Sequence, residues 1–117
     1  MSRTLALMAL TALAACEARP GAPAAGDPKH GAVVVEQAQC GACHKIPGIV
    51  QADGLVGPPL ASFGRRTMIA GLLPNTPDNL VLWLRRPQSV VPGNAMPDTG
   101  LTEAQARDVA AYLDSLK

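Results

Sequence analysis

The run Cys40-Gly41-Ala42-Cys43-His44 constrains this chain more than any other stretch of it. Two thiols at i and i+3 lie about one helical turn apart on the same side of the backbone, and an imidazole follows directly. Thiols so placed add across the two vinyl groups of one porphyrin, and the adjacent histidine is aimed at the iron. The pattern reads as a c-type haem attachment site. A thioredoxin-like dithiol requires a βαβ setting, and no strand alternation is present to supply one. A zinc site needs about four ligands, yet beyond this run the domain offers only His30 and no further Cys. A structural Cys40–Cys43 disulfide leaves His44 without a role.

Composition sharpens the same reading. Aromatic residues are only 3% of the 117 residues, one each of Trp, Tyr and Phe, against 11 Gly and 11 Pro. The side chains that supply the largest pieces of buried area are therefore nearly absent. A large flat cofactor fills that deficit and gives loop-rich stretches a reason to be ordered, so the haem-free domain is expected to be largely unfolded. The formal charge of +1 argues against a nucleic-acid partner, which would call for a basic stripe.

Residues 1–15 hold Arg3 followed by an apolar run that is shorter than the roughly 20 residues needed to cross a bilayer. They read as a secretory signal peptide that is removed. Leu13-Ala14-Ala15-Cys16 resembles a bacterial lipobox, which implies lipid on Cys16 and a membrane anchor; simple secretion, giving a soluble periplasmic protein, is the alternative. Residues 16–28 form an Ala/Pro/Gly tether, and residues 29–117 the folded domain.

Three helices are predicted in that domain. Asp27-Pro28 is a cap followed by a first-turn Pro, opening a helix to about Gln39 with Gly31, Val34, Val35 and Ala38 on its apolar stripe. Thr76-Pro77 opens a second, carrying Leu80, Trp83 and Leu84 and ended by Pro87. Thr102 with Gln105 is a capping-box pattern for a third, running to about Leu116 with Ala106, Val109, Ala110 and Leu113 facing inward. The stretches 45–75 and 87–101 read as long loops. His30 reads as a solvated surface residue and Met68 as a flexible packing residue. Met96 stands between turn formers in Val91-Pro92-Gly93-Asn94-Ala95-Met96-Pro97, and a thioether from such a loop is the expected sixth iron ligand, one that raises the potential.

Taken together, Cys40-x-x-Cys43-His44, Gly57-Pro58-Pro59-Leu60, Phe63-Gly64-Arg65 and Pro92-Gly93-Asn94-Ala95-Met96-Pro97 resemble the class I c-type cytochromes. Leu73-Pro74-Asn75-Thr76-Pro77-Asp78-Asn79-Leu80, then Trp83-Leu84-Arg85 and Pro87-Gln88, are similar to the cytochrome c domain fused to subunit II of bacterial haem-copper cytochrome oxidases. The resemblance implies an all-α cytochrome c fold, helices and Gly/Pro-rich loops wrapped around one covalently bound haem c. It implies further that the Pro58 carbonyl accepts from His44 Nδ1, that Arg65 lies near a haem propionate, that Trp83 lines the haem crevice, and that Gly31 meets Tyr112 where the first and last helices cross. Only the haem module is expected here, without that subunit's copper-binding domain or membrane helices.

The expected function is single-electron transfer rather than enzymatic turnover, with iron held by His44 and Met96. Expected partners are an electron-donor complex and an acceptor such as a terminal oxidase, met at a membrane surface facing the periplasm or cell exterior. With lysines only at 29, 45 and 117, docking through an apolar patch near Ala42, Ile46 and Val50 is favoured. Two other readings stand beside it: a haem subunit of a dehydrogenase complex, and a haem-based gas or redox sensor with an open sixth position.

Overall fold

The computed structural model describes residues 25–117. The leader, Cys16 and most of the tether lie outside the described residues. Helix α1 (Pro28–Gln37) begins where the sequence predicts: the Asp27 carboxylate accepts from the N–H groups of Lys29 at 2.9 Å and His30 at 3.4 Å, and Pro28 occupies the first turn, where a missing N–H costs nothing. It ends earlier than predicted. Gln39 takes a left-handed conformation, φ 57°, and turns the chain into a single 3-10 turn, Cys40–Ala42. Ala38 is consequently exposed, while Gly31, Val34 and Val35 are buried.

A second 3-10 turn, Phe63–Arg65, leads into a hairpin that the sequence reading missed, β1 (Met68–Ile69) and β2 (Leu73–Pro74), antiparallel with Ile69 opposite Leu73. Two-residue strands carry too few positions for alternation to be visible. The turn itself places Ala70 at φ 52° and Gly71 at φ 67°, closed by Leu72 N–H donating to the Ile69 carbonyl at 3.0 Å, and an alanine gives little warning of such a conformation. The fold remains mostly helical. Met68, expected to pack, is instead 43% exposed on β1.

Helix α2 (Pro77–Arg85) is capped by Thr76, and its buried face is Leu80, Val81 and Leu84, with Trp83 half-buried at its margin. Pro87 does not simply terminate this helix. The residue before a proline is pushed away from helical geometry, so Arg86 breaks the run at φ −138°, and Pro87 starts a separate one-turn helix, α3 (Pro87–Val90). Helix α4 (Glu103–Ser115) has the predicted capping box: Thr102 Oγ1 accepts from Gln105 N–H at 3.2 Å and Gln105 Oε1 accepts from Thr102 N–H at 3.0 Å. All four predicted inward residues of α4 are buried.

Helices α1 and α4 cross with α2 packed against α4. At the crossing, a Cβ on Gly31 would overlap the Asp108 carbonyl and come within 2.9 Å of the Tyr112 Cβ, so only glycine permits the approach. Val34, Val35, Val109 and Leu113 are at most 3% exposed there, and burying side chains of this kind contributes roughly 1.5–3 kcal/mol apiece. Tyr112 extends from the same helix to donate its hydroxyl to the Pro47 carbonyl at 3.0 Å, with burial pushing its pKa up. His30 is 53% exposed in its side chain but is not idle: its Nδ1 lies 2.6 Å from Asp108 Oδ2, and Asp108 Oδ1 accepts the Asp27 N–H at 2.7 Å, tying the start of α1 to α4. Together these contacts make α1 and α4 a fixed platform, and the Cys40–Ala42 turn emerges from its edge.

Candidate functional site

Cys40, Cys43 and His44 lie on one continuous turn. The Cys40 carbonyl accepts from both Cys43 N–H at 3.2 Å and His44 N–H at 3.0 Å. Cys40 packs against the core and Cys43 is half-buried, and both are free thiols. Burial pushes the Cys40 thiol up in pKa and keeps it protonated at neutral pH.

The chain then doubles back along this turn. Gly54 N–H donates to the Gly41 carbonyl at 3.0 Å and Gly57 N–H to the Cys43 carbonyl at 2.7 Å. Leu55 and Val56, between those two anchors, are 89% and 70% exposed. Aliphatic side chains are thus left uncovered beside the two thiols, a surface that suits a flat apolar group. Of the residues expected to form an apolar docking patch, Ala42 and Val50 are exposed, but Ile46 is only 3% exposed. Its N–H donates to the Ala52 carbonyl, which folds its side chain into the core, so Ile46 is not a surface residue.

The imidazole of His44 is oriented by two neighbours. Its Nδ1 is 2.8 Å from the Pro58 carbonyl oxygen. A carbonyl only accepts, so Nδ1 carries a proton, and in the neutral ring this leaves the lone pair on Nε2. Close against the ring stands Gly57, where a Cβ would approach to 2.6 Å of Nδ1 and 2.9 Å of Nε2. Any larger residue at 57 displaces the ring. Sequence reading placed Gly57 in a motif without giving it this role.

Arg65 and its neighbour Arg66 divide clearly. Arg66 is occupied: its guanidinium lies 5.1 Å from the Phe63 ring centroid and donates to the Pro59 carbonyl. Arg65 is exposed and makes no ion pair among the described residues. Trp83 and Met96 both pack, partly buried, against the same core as Cys40. No hydrogen bond from the Trp83 indole occurs among the described residues. Met96 is held by its backbone: its N–H donates to Asn94 Oδ1 at 2.7 Å, and its carbonyl accepts from Gln88 Nε2 at 2.7 Å. Sequence reading placed Gln88 and Asn94 in motifs without giving either this role.

The donor set fits a covalently held porphyrin: two thiols on one turn, an imidazole with one nitrogen anchored and the other free, a thioether on a braced loop, and exposed aliphatic side chains on the segment that doubles back along the turn. The comparison with known proteins agrees. The cytochrome c family matches residues 28–117, and the chain belongs to that family. It is 41% identical over 88 residues to the cytochrome c oxidase subunit 2 of Alkalihalophilus pseudofirmus, covering 74% of this chain and 25% of that relative. It is also 41% identical over 101 residues to the protein of the same name from Bacillus sp. strain PS3, covering 81% and 28%, and 33% identical over 93 residues to that of Bacillus subtilis, covering 76% and 26%. The chain therefore spans about a quarter of the length of these curated relatives. The family carries a covalently bound haem c with its iron, and this chain is a haem-based electron-transfer protein. Among the described residues, no helix is long and apolar enough to cross a membrane.

Proposed function

We propose that Cys40 and Cys43 hold one haem c through thioether bonds, that His44 Nε2 and the Met96 sulfur are its axial iron ligands, and that the domain carries single electrons to an acceptor such as a terminal oxidase. When bound, the haem supplies a one-electron Fe(III)/Fe(II) couple. The observation that carries the ligand reading is the His44 Nδ1 to Pro58 carbonyl hydrogen bond, because it fixes both the tautomer and the ring orientation that a metal-binding histidine requires. This bond also makes Nε2 a stronger donor. The soft thioether of Met96 favours the reduced iron and raises the potential. Arg65, free of other partners among the described residues, offers a charge-assisted hydrogen bond to a propionate, and Trp83 lines the haem crevice.

The relatives' name, cytochrome c oxidase subunit 2, supports a terminal oxidase as acceptor. Residues 1–15 serve as a cleaved export signal, Cys16 carries lipid, and residues 16–28 tether the domain 29–117 to the membrane surface. Two acyl chains or more are needed for stable anchoring.

Acid and organic-solvent extraction of protein made with haem-attachment machinery tests the cofactor assignment. The haem should remain with the polypeptide and add the mass of one group, and it should be extracted when Cys40 and Cys43 are both replaced by Ser. Haem lost from the wild-type chain, or retained without either thiol, contradicts the assignment. Mass spectrometry of the mature N-terminus checks the anchor: an unmodified Cys16, or a different start, contradicts it.

A further inference from the structure

The thioether of a methionine has three rotatable bonds behind it and few orienting contacts of its own. Where the sulfur sits depends on how firmly the backbone of its residue is held. In this chain both backbone polar groups of Met96 are taken by side-chain amides. Asn94 Oδ1 accepts the Met96 N–H at 2.7 Å, and Gln88 Nε2 donates to the Met96 carbonyl at 2.7 Å.

The two amides face each other in opposite directions. Gln88, on α3, reaches into the loop: Nε2 donates to the carbonyls of both Asn94, at 2.9 Å, and Met96, while Oε1 accepts the Gly93 N–H at 3.0 Å. Asn94, in the loop, reaches back to α3, with Nδ2 donating to the carbonyls of Pro87 at 3.1 Å and Val91 at 2.7 Å. Each amide nitrogen uses both of its hydrogens. The orientation of Gln88 follows from its partners, since the opposite one would set its oxygen against two carbonyls. Asp98 Oδ1 secures Gln88 itself by accepting its backbone N–H at 3.2 Å.

We propose that Gln88 is a positioning residue for the Met96 sulfur: its amide holds the loop 93–96 in one shape and so sets how readily the sulfur leaves the iron. This inference rests on the reading of Met96 as an axial ligand. Gln88 is not a ligand in that reading and is not among the residues of the hydrophobic core, so its loss should loosen the ligand before it loosens the fold.

The test uses the holoprotein. The oxidised form is titrated to high pH while the weak far-red Met-to-iron charge-transfer band is followed, and carbon monoxide binding to the reduced form is timed. Gln88→Glu keeps an acceptor for Gly93 but loses both donors and sets a negative charge against two carbonyls; Gln88→Ala removes the contacts altogether. Both should lose the band about one pH unit earlier than wild type and bind carbon monoxide about tenfold faster, since two or three hydrogen bonds are removed. Far-UV circular dichroism and covalently retained haem should be unchanged. A midpoint and rate within twofold of wild type overturn the proposal. If neither variant assembles, hydrogen exchange on the wild-type holoprotein decides: the Gly93 amide should be protected, and exchange at the rate of an open loop overturns the proposal. A band that survives Met96→Ala overturns the ligand reading and this inference together. A band lost in Met96→Ala but as stable in the Gln88 variants as in wild type overturns this inference alone.

Discussion

The two sides of the proposed haem site are built by different means. On the His44 side, the ring itself is held: it is attached one residue beyond Cys43, anchored at Nδ1 to the Pro58 carbonyl, and backed by the missing side chain of Gly57. On the Met96 side, the backbone is held instead, through two amides that grip main-chain groups and leave the side chain flexible. A rigid ring needs one hydrogen bond and one close wall, whereas a flexible thioether needs its whole loop held. The His44 side should therefore fail through steric intrusion, and the Met96 side through loss of hydrogen bonds.

The largest expected effect removes what both sides share. Replacing Cys40 and Cys43 together by Ser, and so preventing haem attachment, should abolish the cooperative thermal transition of the domain, because the loops 43–60 and 91–101 then have no common surface to close on. A sharp calorimetric transition in the haem-free chain would show that the helical platform is sufficient alone. Next in size is Gly57→Ala. A methyl group wedged against the imidazole should displace His44 and weaken the proximal bond, at an overpacking cost of about 1–3 kcal/mol. It should convert part of the reduced protein to a high-spin spectrum, and a wild-type spectrum would contradict the role given to Gly57.

A substitution in the platform separates fold from site. Gly31→Ala places a methyl group into the Asp108 backbone at the α1–α4 crossing. It should lower stability by about 1–3 kcal/mol, a Tm shift of several degrees for a domain of this size, with the far-red band retained. Loss of that band at ambient temperature would mean that the ligand loops depend on the crossing more closely than the contacts indicate.

The smallest effect concerns Asp108. Its carboxyl is held below the usual range, first by the Asp27 N–H and then by His30. Stability from a depressed carboxylate is complete above its unfolded value, about 4, and is lost as pH falls through the lower folded value. Unfolding followed from pH 5 towards pH 2 should therefore show a shallower loss in Asp108→Asn than in wild type. Equal slopes would show that this contact adds nothing at the surface.

Legibility in the sequence followed caps and motifs. Cap residues announced the starts of α1, α2 and α4, since Asp27, Thr76 and Thr102 act on backbone groups only two or three positions away. Cys40, Cys43, His44 and Met96 stood out by motif, and Pro58 by resemblance. Gln88 was quoted in the resemblance, but its role was not, because that role lies in an eight-residue reach to Met96 from the separate one-turn helix α3, where the sequence reading saw only a helix end at Pro87. The hairpin of β1 and β2 was hidden for a related reason: its turn depends on Ala70 adopting a conformation that its residue type does not advertise. Ile46 and Met68 exchanged the expected places, one folded inward by a backbone bridge and the other left exposed on a strand. Burial of a single apolar residue follows from tertiary contacts rather than from its own chemistry.

The central claim is that one covalently bound haem is held between His44 and Met96. The most direct measurement compares the oxidised absorption spectrum of the wild-type holoprotein with that of Met96→Ala. The account predicts a low-spin wild-type spectrum with the weak far-red charge-transfer band, and in Met96→Ala the loss of that band with haem still covalently attached. A Met96→Ala spectrum identical to wild type would contradict it.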